Sequence, residues 1–144
     1  MSNIMWCSDT ESYIAKEKIC NGQTVVIGLE LVEKTIDSNY WNIYASVYNK
    51  RKHSDINEDS CKITSKNPFL TASIGIRLFK SLINVLLDDK KFTNNKSNIV
   101  YCTWTDNKRR DVYYKYLNKY GYQYGNLFGE KIIYKKYGAN EVIS

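Results

Sequence analysis

The stretch SNIVYCTWTDNKRRDVYYKYLNKYGY, Ser97 to Tyr122, decides how the chain is organised. It opens with an apolar run from Ile99 to Trp104. Both alternating sets, Ile99/Tyr101/Thr103 and Val100/Cys102/Trp104, are mostly apolar, the pattern of a strand covered on two faces. The period then changes. Asp106 can cap a helix by accepting a hydrogen bond from the free N–H groups of its first turn. Val112 or Tyr113, Tyr116, Leu117 and Tyr120 follow at spacings of three and four, making one apolar stripe. Gly121 supplies the left-handed residue that ends many helices. A two-sided strand at 99–104 feeding a helix at 107–120 predicts a layered α/β or α+β domain.

Upstream, Ala72 to Asp88 reads as a long helix with Thr71 as its cap. Ile74, Leu78, Leu82, Val85 and Leu86 make one face, and Ile76, Phe79, Ile83 and Leu87 widen it. An arc this broad predicts a helix buried against a sheet and a further element. Between Asn49 and Pro68 the apolar pattern stops, which predicts a functional or mobile loop, with 54–60 the part expected to be disordered. Before it, Val25, Ile27, Leu29 and Leu31 alternate, as do Trp41, Ile43, Ala45 and Val47. These predict two hairpin strands within 24–48, joined by a turn at Asp37-Ser38-Asn39. Asn21-Gly22 is another turn signal, and Tyr13 to Cys20 fits a strand or a short helix equally. Downstream, Tyr124 to Gly129 turns the chain and Lys131 to Tyr137 alternates as a closing strand.

At 144 residues the chain is long enough for one domain with a real core. No stretch approaches the roughly 20 apolar residues of a membrane span. The N-terminus lacks a basic segment followed by an apolar one, so the expectation is a cytoplasmic protein with no signal peptide. Cys7, Cys20, Cys61 and Cys102 are widely spaced, and His53 is the sole histidine. That pattern predicts buried thiols and no metal site. The net charge of +6 suits a polyanion or an acidic protein face, and equally a lysine-rich solvated surface. Lysine, asparagine, isoleucine and tyrosine are abundant, as in proteins of A/T-rich genomes such as phages, mobile elements and low-GC bacteria.

The order strand, long buried helix, two-sided strand, helix ending in Lys-Tyr-Gly-Tyr, closing strand resembles the GNAT N-acetyltransferase superfamily. The resemblance covers about 24–137. It rests on TDNKRRDVYYKYLNKYGY followed by GEKIIYKKY, and is strongest to small phage and mobile-element proteins with a W-x-D-x-x-R-R helix start. It implies a single α+β GNAT-like domain with a mixed, twisted sheet. It also implies transfer of an acetyl group from acetyl-CoA to an amine of a protein, RNA or small molecule. Family members hold the CoA pyrophosphate on a Q/R-x-x-G-x-G/A loop at the start of the long helix. Here that place reads LTASIGIR, which points to Thr71, Ala72, Ser73 and Gly75 as cofactor contacts, with Arg77 or Arg51 assisting. The family's acid tyrosine lies four residues before the helix-ending glycine, a position held here by Leu117, so Tyr113 or Tyr116 would substitute. Glu30 is the candidate base.

Each assignment has a plainer counterpart: Gly75 for close packing, the tyrosines for the core, Glu30 on a solvent face. Lys108, Arg109 and Arg110 begin a helix, where cations are disfavoured. They point to a phosphate or an acidic partner, or to salt bridges with Asp106 and Asp111. Tyr40, Tyr44 and Tyr48 share a strand face that would either stack bases or lie under the long helix. The alternative to an enzyme is a catalytically silent GNAT-like protein that binds and inhibits a host defence or nucleic-acid factor.

Overall fold

A computed structural model describes residues 3–19, 22–49 and 68–138. The fold is α+β. Seven strands form one mixed sheet in the order β1-β2-β3-β4-β5-β7-β6. The chain divides into two compact units, Met1–Glu30 with Tyr44–Val85, and Leu31–Ile43 with Leu86–Ser144.

In the first unit, β1 (Asn3–Cys7) pairs antiparallel with β2 (Ser12–Lys18), which pairs antiparallel with the part of β3 (Gln23–Lys34) up to Glu30. Of the two readings of Tyr13 to Cys20, the strand is the one found as far as Lys18, and Cys20 lies outside the described residues. β3 buries Thr24 to Leu29 without a break, because both faces of the strand are covered. Gly22, at φ 85°, closes the β2–β3 turn in the left-handed region that its missing Cβ allows. Gly28 has a different reason: a Cβ there would stand 2.1 Å from the Tyr44 ring, which lies over the glycine.

Helix α1 runs from Pro68 to Asp88. It begins four residues before the expected Ala72, so Thr71 lies within its first turn. Proline at the first helical position explains the earlier start, since its fixed φ suits that place and its absent N–H has no partner to lose. Ile74, Leu78, Phe79, Leu82, Ile83 and Leu86 are buried as expected, whereas Val85 is exposed. Apart from Asn49 and Pro68, the expected loop at 49–68 lies outside the described residues.

The second unit takes Ser38–Ile43 of β4 (Ser38–Asn49), which runs parallel there to β5 (Ser97–Cys102), in register from Ser38↔Ser97 to Asn42↔Tyr101. The strand begins at Ser38, where a turn was expected, because Ser38 and Asn39 already pair with β5. The turn falls instead on Thr35–Asp37, where the Ser38 amide donates to Thr35 Oγ1 at 3.1 Å. Short helix α2 (Lys90–Thr93) precedes β5 and is capped by Asp89. Together they build a buried polar cluster. Asn98 Oδ1 accepts from Trp41 Nε1 at 2.9 Å and Asn39 Nδ2 at 3.1 Å. Both asparagines donate to the Phe92 carbonyl, and the Phe92 ring meets Trp41 edge-on at 4.9 Å.

Strand β5 stops at Cys102, two residues before the expected Trp104. Helix α3 (Asn107–Leu117) follows, with Asp106 accepting from the Arg109 amide at 2.8 Å. A 3-10 turn (Asn118–Tyr120) and Gly121 at φ 93° end it. Tyr124 to Gly129, expected as a turn, is mostly strand β6 (Gln123–Leu127). It pairs antiparallel with β7 (Glu130–Tyr137), and β7 pairs antiparallel with β5. The true turn is the two residues Phe128 (φ 53°) and Gly129 (φ 81°), both left-handed as a tight hairpin demands.

Asn98→Ala is expected to lower unfolding free energy by about 2–4 kcal/mol, because it leaves the Trp41 indole N–H buried without an acceptor. Trp41→Phe keeps the aromatic bulk and removes the donor with its need, so it is expected to cost less. Urea denaturation of both variants measures the difference.

Candidate functional site

The residues expected to hold a cofactor lie on α1. Within a helix that starts at Pro68, the amides of Ala72 to Gly75 are bonded to carbonyls four residues back and are not offered to a phosphate. Gly75 faces β3: a Cβ built on it would sit 3.7 Å from Ile27 Cδ1, an ordinary packing distance. Arg77 makes a forked pair with Glu17, Nη1 to Oε1 at 2.8 Å and Nη2 to Oε2. The guanidinium's hydrogen bonds hold the Glu17 carboxyl below its ordinary value. Packing at Gly75 therefore does not demand glycine, and Arg77 is engaged by an ion pair. Arg51 lies outside the described residues.

Glu30 is half-buried on β3 opposite Ser12. Tyr113 and Tyr116 are half-buried on α3, with the Lys115 ammonium 5.9 Å from the Tyr116 ring centre. The basic cluster at the start of the same helix is largely engaged locally. Arg109 Nη1 donates to Thr105 Oγ1 at 2.7 Å, and its Nε stands 4.0 Å from Asp106. Arg110 Nε donates to Asp111 at 3.0 Å and its Nη1 reaches Asn107 at 3.4 Å. Lys108 is exposed. On β4, Tyr40 packs on Phe128 at 5.5 Å and Tyr44 covers Gly28, so these two rings serve the fold.

A different group of residues forms an open cleft of about 500 Å³, lined by Trp104, Arg110, Tyr124, Gly125, Asn126 and Lys131. Tyr124 stacks almost flat on Tyr114, with centroids 4.4 Å apart and planes at 12°. Trp104 meets Tyr124 edge-on at 6.1 Å. Of these residues the sequence pointed to Arg110 as a contact. The cleft depends on β6, whose signal is weak because its hairpin turn carries phenylalanine where asparagine is usual. Gly125 is forced by its neighbour: a Cβ would stand 2.4 Å from the Tyr134 ring.

No described protein family, curated protein or solved structure matches the chain. No helix among the described residues is long and apolar enough to cross a membrane.

Two further polar groups near β5 are inert. Burial pushes the Cys102 thiol up to about 12. Burial, then the neighbouring Tyr137, raises the Tyr122 phenol well above its ordinary value, and the two hydroxyls share a hydrogen bond at 2.9 Å. Cys7, by contrast, is half-buried and its thiol is lowered, first by a hydrogen bond with the Thr10 side chain. In a Cys20→Ser/Cys61→Ser background at pH 8, Ellman's reagent is expected to label Cys7 readily and Cys102 only after denaturation. Cys102 binds its proton more tightly folded than unfolded. Its contribution to stability is therefore complete below about pH 9 and is lost as pH rises towards about 12. Between pH 8 and 10.5 the unfolding free energy from urea titration should fall further for the native chain than for Cys102→Ala, by about 2 kcal/mol.

Proposed function

We propose that the chain is a GNAT-like N-acyltransferase that moves an acetyl group from acetyl-CoA to an amine of a protein, RNA or small molecule. One observation carries the reading: α1 and α2 cross between the parallel strands β4 and β5, and α3 follows β5 directly. That succession matches the element order of the resemblance, which rests chiefly on the TDNKRRDVYYKYLNKYGY passage. In open sheets with parallel strands, ligands gather beyond the strands' carboxyl ends. Asn42 ends the β4–β5 ladder, and its Oδ1 is buried with no hydrogen-bond partner among the described residues. A buried acceptor left unpaired is costly, and a ligand N–H would satisfy it. CoA carries amide N–H groups along its arm, so Asn42 would hold that arm. Acetyl-CoA would supply the activated thioester carbonyl. Tyr113 or Tyr116 as acid and Glu30 as base remain assigned by the resemblance.

The second reading is a GNAT-like protein that binds a partner without transferring a group. The Arg77–Glu17 pair and the internally bonded amides of Ala72 to Gly75 favour it, because both remove expected phosphate contacts. An acidic protein face or a nucleic acid would be the partner of its basic surface.

Calorimetry and thermal shift with acetyl-CoA separate the two. Transfer requires binding, and ligand at 100 times Kd should raise Tm by about 5–10 °C. Asn42→Ala should weaken binding roughly 5–30-fold, the worth of one buried hydrogen bond, without unfolding the chain. Arg77→Ala should change it less than about twofold. No heat and no shift at millimolar acetyl-CoA would sink the transferase reading and leave the binding protein.

A further inference from the structure

The cleft between α3 and the β6–β7 hairpin has no role in acyl transfer as proposed above, yet its parts converge. In the β6–β7 register Asn126 stands directly opposite Lys131, and Tyr124 lies two residues from Asn126 on the same strand. Side chains two apart, and those directly paired, share one face of an antiparallel ladder. Tyr124, Asn126 and Lys131 therefore project to one side. Across from them Arg110 and Tyr114 lie four residues apart on α3, hence on one helix face. Folding brings these five residues of β6, β7 and α3 together, four of them lining the cleft and Tyr114 stacked against the Tyr124 ring.

We propose that this cleft is a nucleotide-binding site, which takes a nucleobase on the Tyr124 ring and its phosphate on Lys131 and Arg110. Tyr124 is 47% exposed, and it is held in place by Tyr114 beneath and Trp104 at its edge. A ring fixed in this way is a stacking platform whose orientation costs nothing further on binding. The charge around it is positive and partly unused. Lys131 has no partner among the described residues, and Arg110 makes no bond through Nη2. Asn126, exposed and also without a partner, offers both a donor and an acceptor to a base edge. An acidic peptide would satisfy the cations but not the exposed ring. A purely apolar ligand would leave the cations unmatched. A phosphate joined to a planar heterocycle matches both, and the cleft volume of about 500 Å³ is of the right order for one nucleotide.

The phosphate-bearing base comes either free or as part of a single strand, and the assay has an arm for each. Anisotropy of a labelled ten-nucleotide thymidine strand and calorimetry with AMP are run on the full chain, with inorganic phosphate as competitor. Expected are saturable binding of at least one probe, a loss of tenfold or more in Tyr124→Ala, and near-native affinity in Tyr124→Phe, which keeps the stacking face. Lys131→Gln should weaken binding several-fold and reduce the slope of log affinity against log salt by about one. Lys119→Gln, an exposed lysine outside the cleft, should change little beyond general electrostatics. Strand binding at least tenfold tighter than AMP identifies nucleic acid as the source, and comparable affinities identify a free nucleotide. If Tyr124→Ala does not keep native circular dichroism, Tyr124→Phe and Lys131→Gln carry the test. Absence of binding below millimolar, or binding indifferent to Tyr124 and Lys131, overturns the proposal. Failure of acetyl-CoA to bind leaves it standing, and acetyl-CoA binding that survives Tyr124→Ala belongs to the transfer reading alone.

Discussion

Two asparagines facing each other across a parallel pair set the register on which the second unit depends. Hairpins fix their own register through the turn, but β4 and β5 are separated by more than forty residues of chain and have no such constraint. Asn39 stands opposite Asn98, and Trp41 lies two residues along on the same face. A slip of one residue would turn all three side chains over. The Asn98 carbonyl oxygen would then lose both donors, and the indole N–H would be buried unpaired. Buried amides without partners cost several times what a satisfied hydrogen bond contributes, so the cluster acts chiefly by penalising wrong registers. Phe92 ties the same cluster to α2 through its carbonyl and its ring.

That register propagates. It sets where β5 ends, and so where Trp104 emerges and where Asp106 can cap α3. The helix phase then follows from the cap. Arg110 and Tyr114 share a face because they are four apart, and this face meets Tyr124. At the other end of α3, the Lys135 ammonium donates to the Tyr120 carbonyl at 2.9 Å, which joins β7 to the helix terminus where a cation is favoured. The cleft is therefore a consequence of core asparagines that never touch it.

The parts legible in the sequence were those with strong local physics. The two-sided strand, the Asp106 cap, the Gly121 terminus and the buried stripe of α1 each rest on a few adjacent residues. What escaped depended on partners distant in sequence. Ser38 and Asn39 look like turn formers until Ser97 and Asn98 pair with them. Tyr124 to Leu127 lacks alternation because Gly125 must be bare under Tyr134, which breaks the strand pattern. Gly75 matches a phosphate loop by type, and composition cannot reveal that its amide lies inside a helix begun at Pro68. The abundant tyrosines divide in the same way. Tyr44 and Tyr134 fill the space beside glycines, and Tyr122 and Tyr137 satisfy each other's hydroxyls, while Tyr124 keeps an open face.

The distribution of charge bears on what that face can recognise. All three arginines within the described residues have carboxylate neighbours: Arg77 with Glu17, Arg109 with Asp106, and Arg110 with Asp111. Pairs this exposed are worth only about 0–1 kcal/mol each, so they do not lock the guanidinium against a more highly charged ligand. They do lower the net field that a distant anion would sense. The excess positive charge is carried by lysines, whose compact ammonium groups attract phosphate without dictating its geometry. Charge alone would make an unselective surface. Selectivity has to come from the element with fixed orientation, and in the cleft that element is the Tyr114–Tyr124 stack. The cations there govern how strongly an anion is held, while the braced ring governs which anions have something planar to place against it.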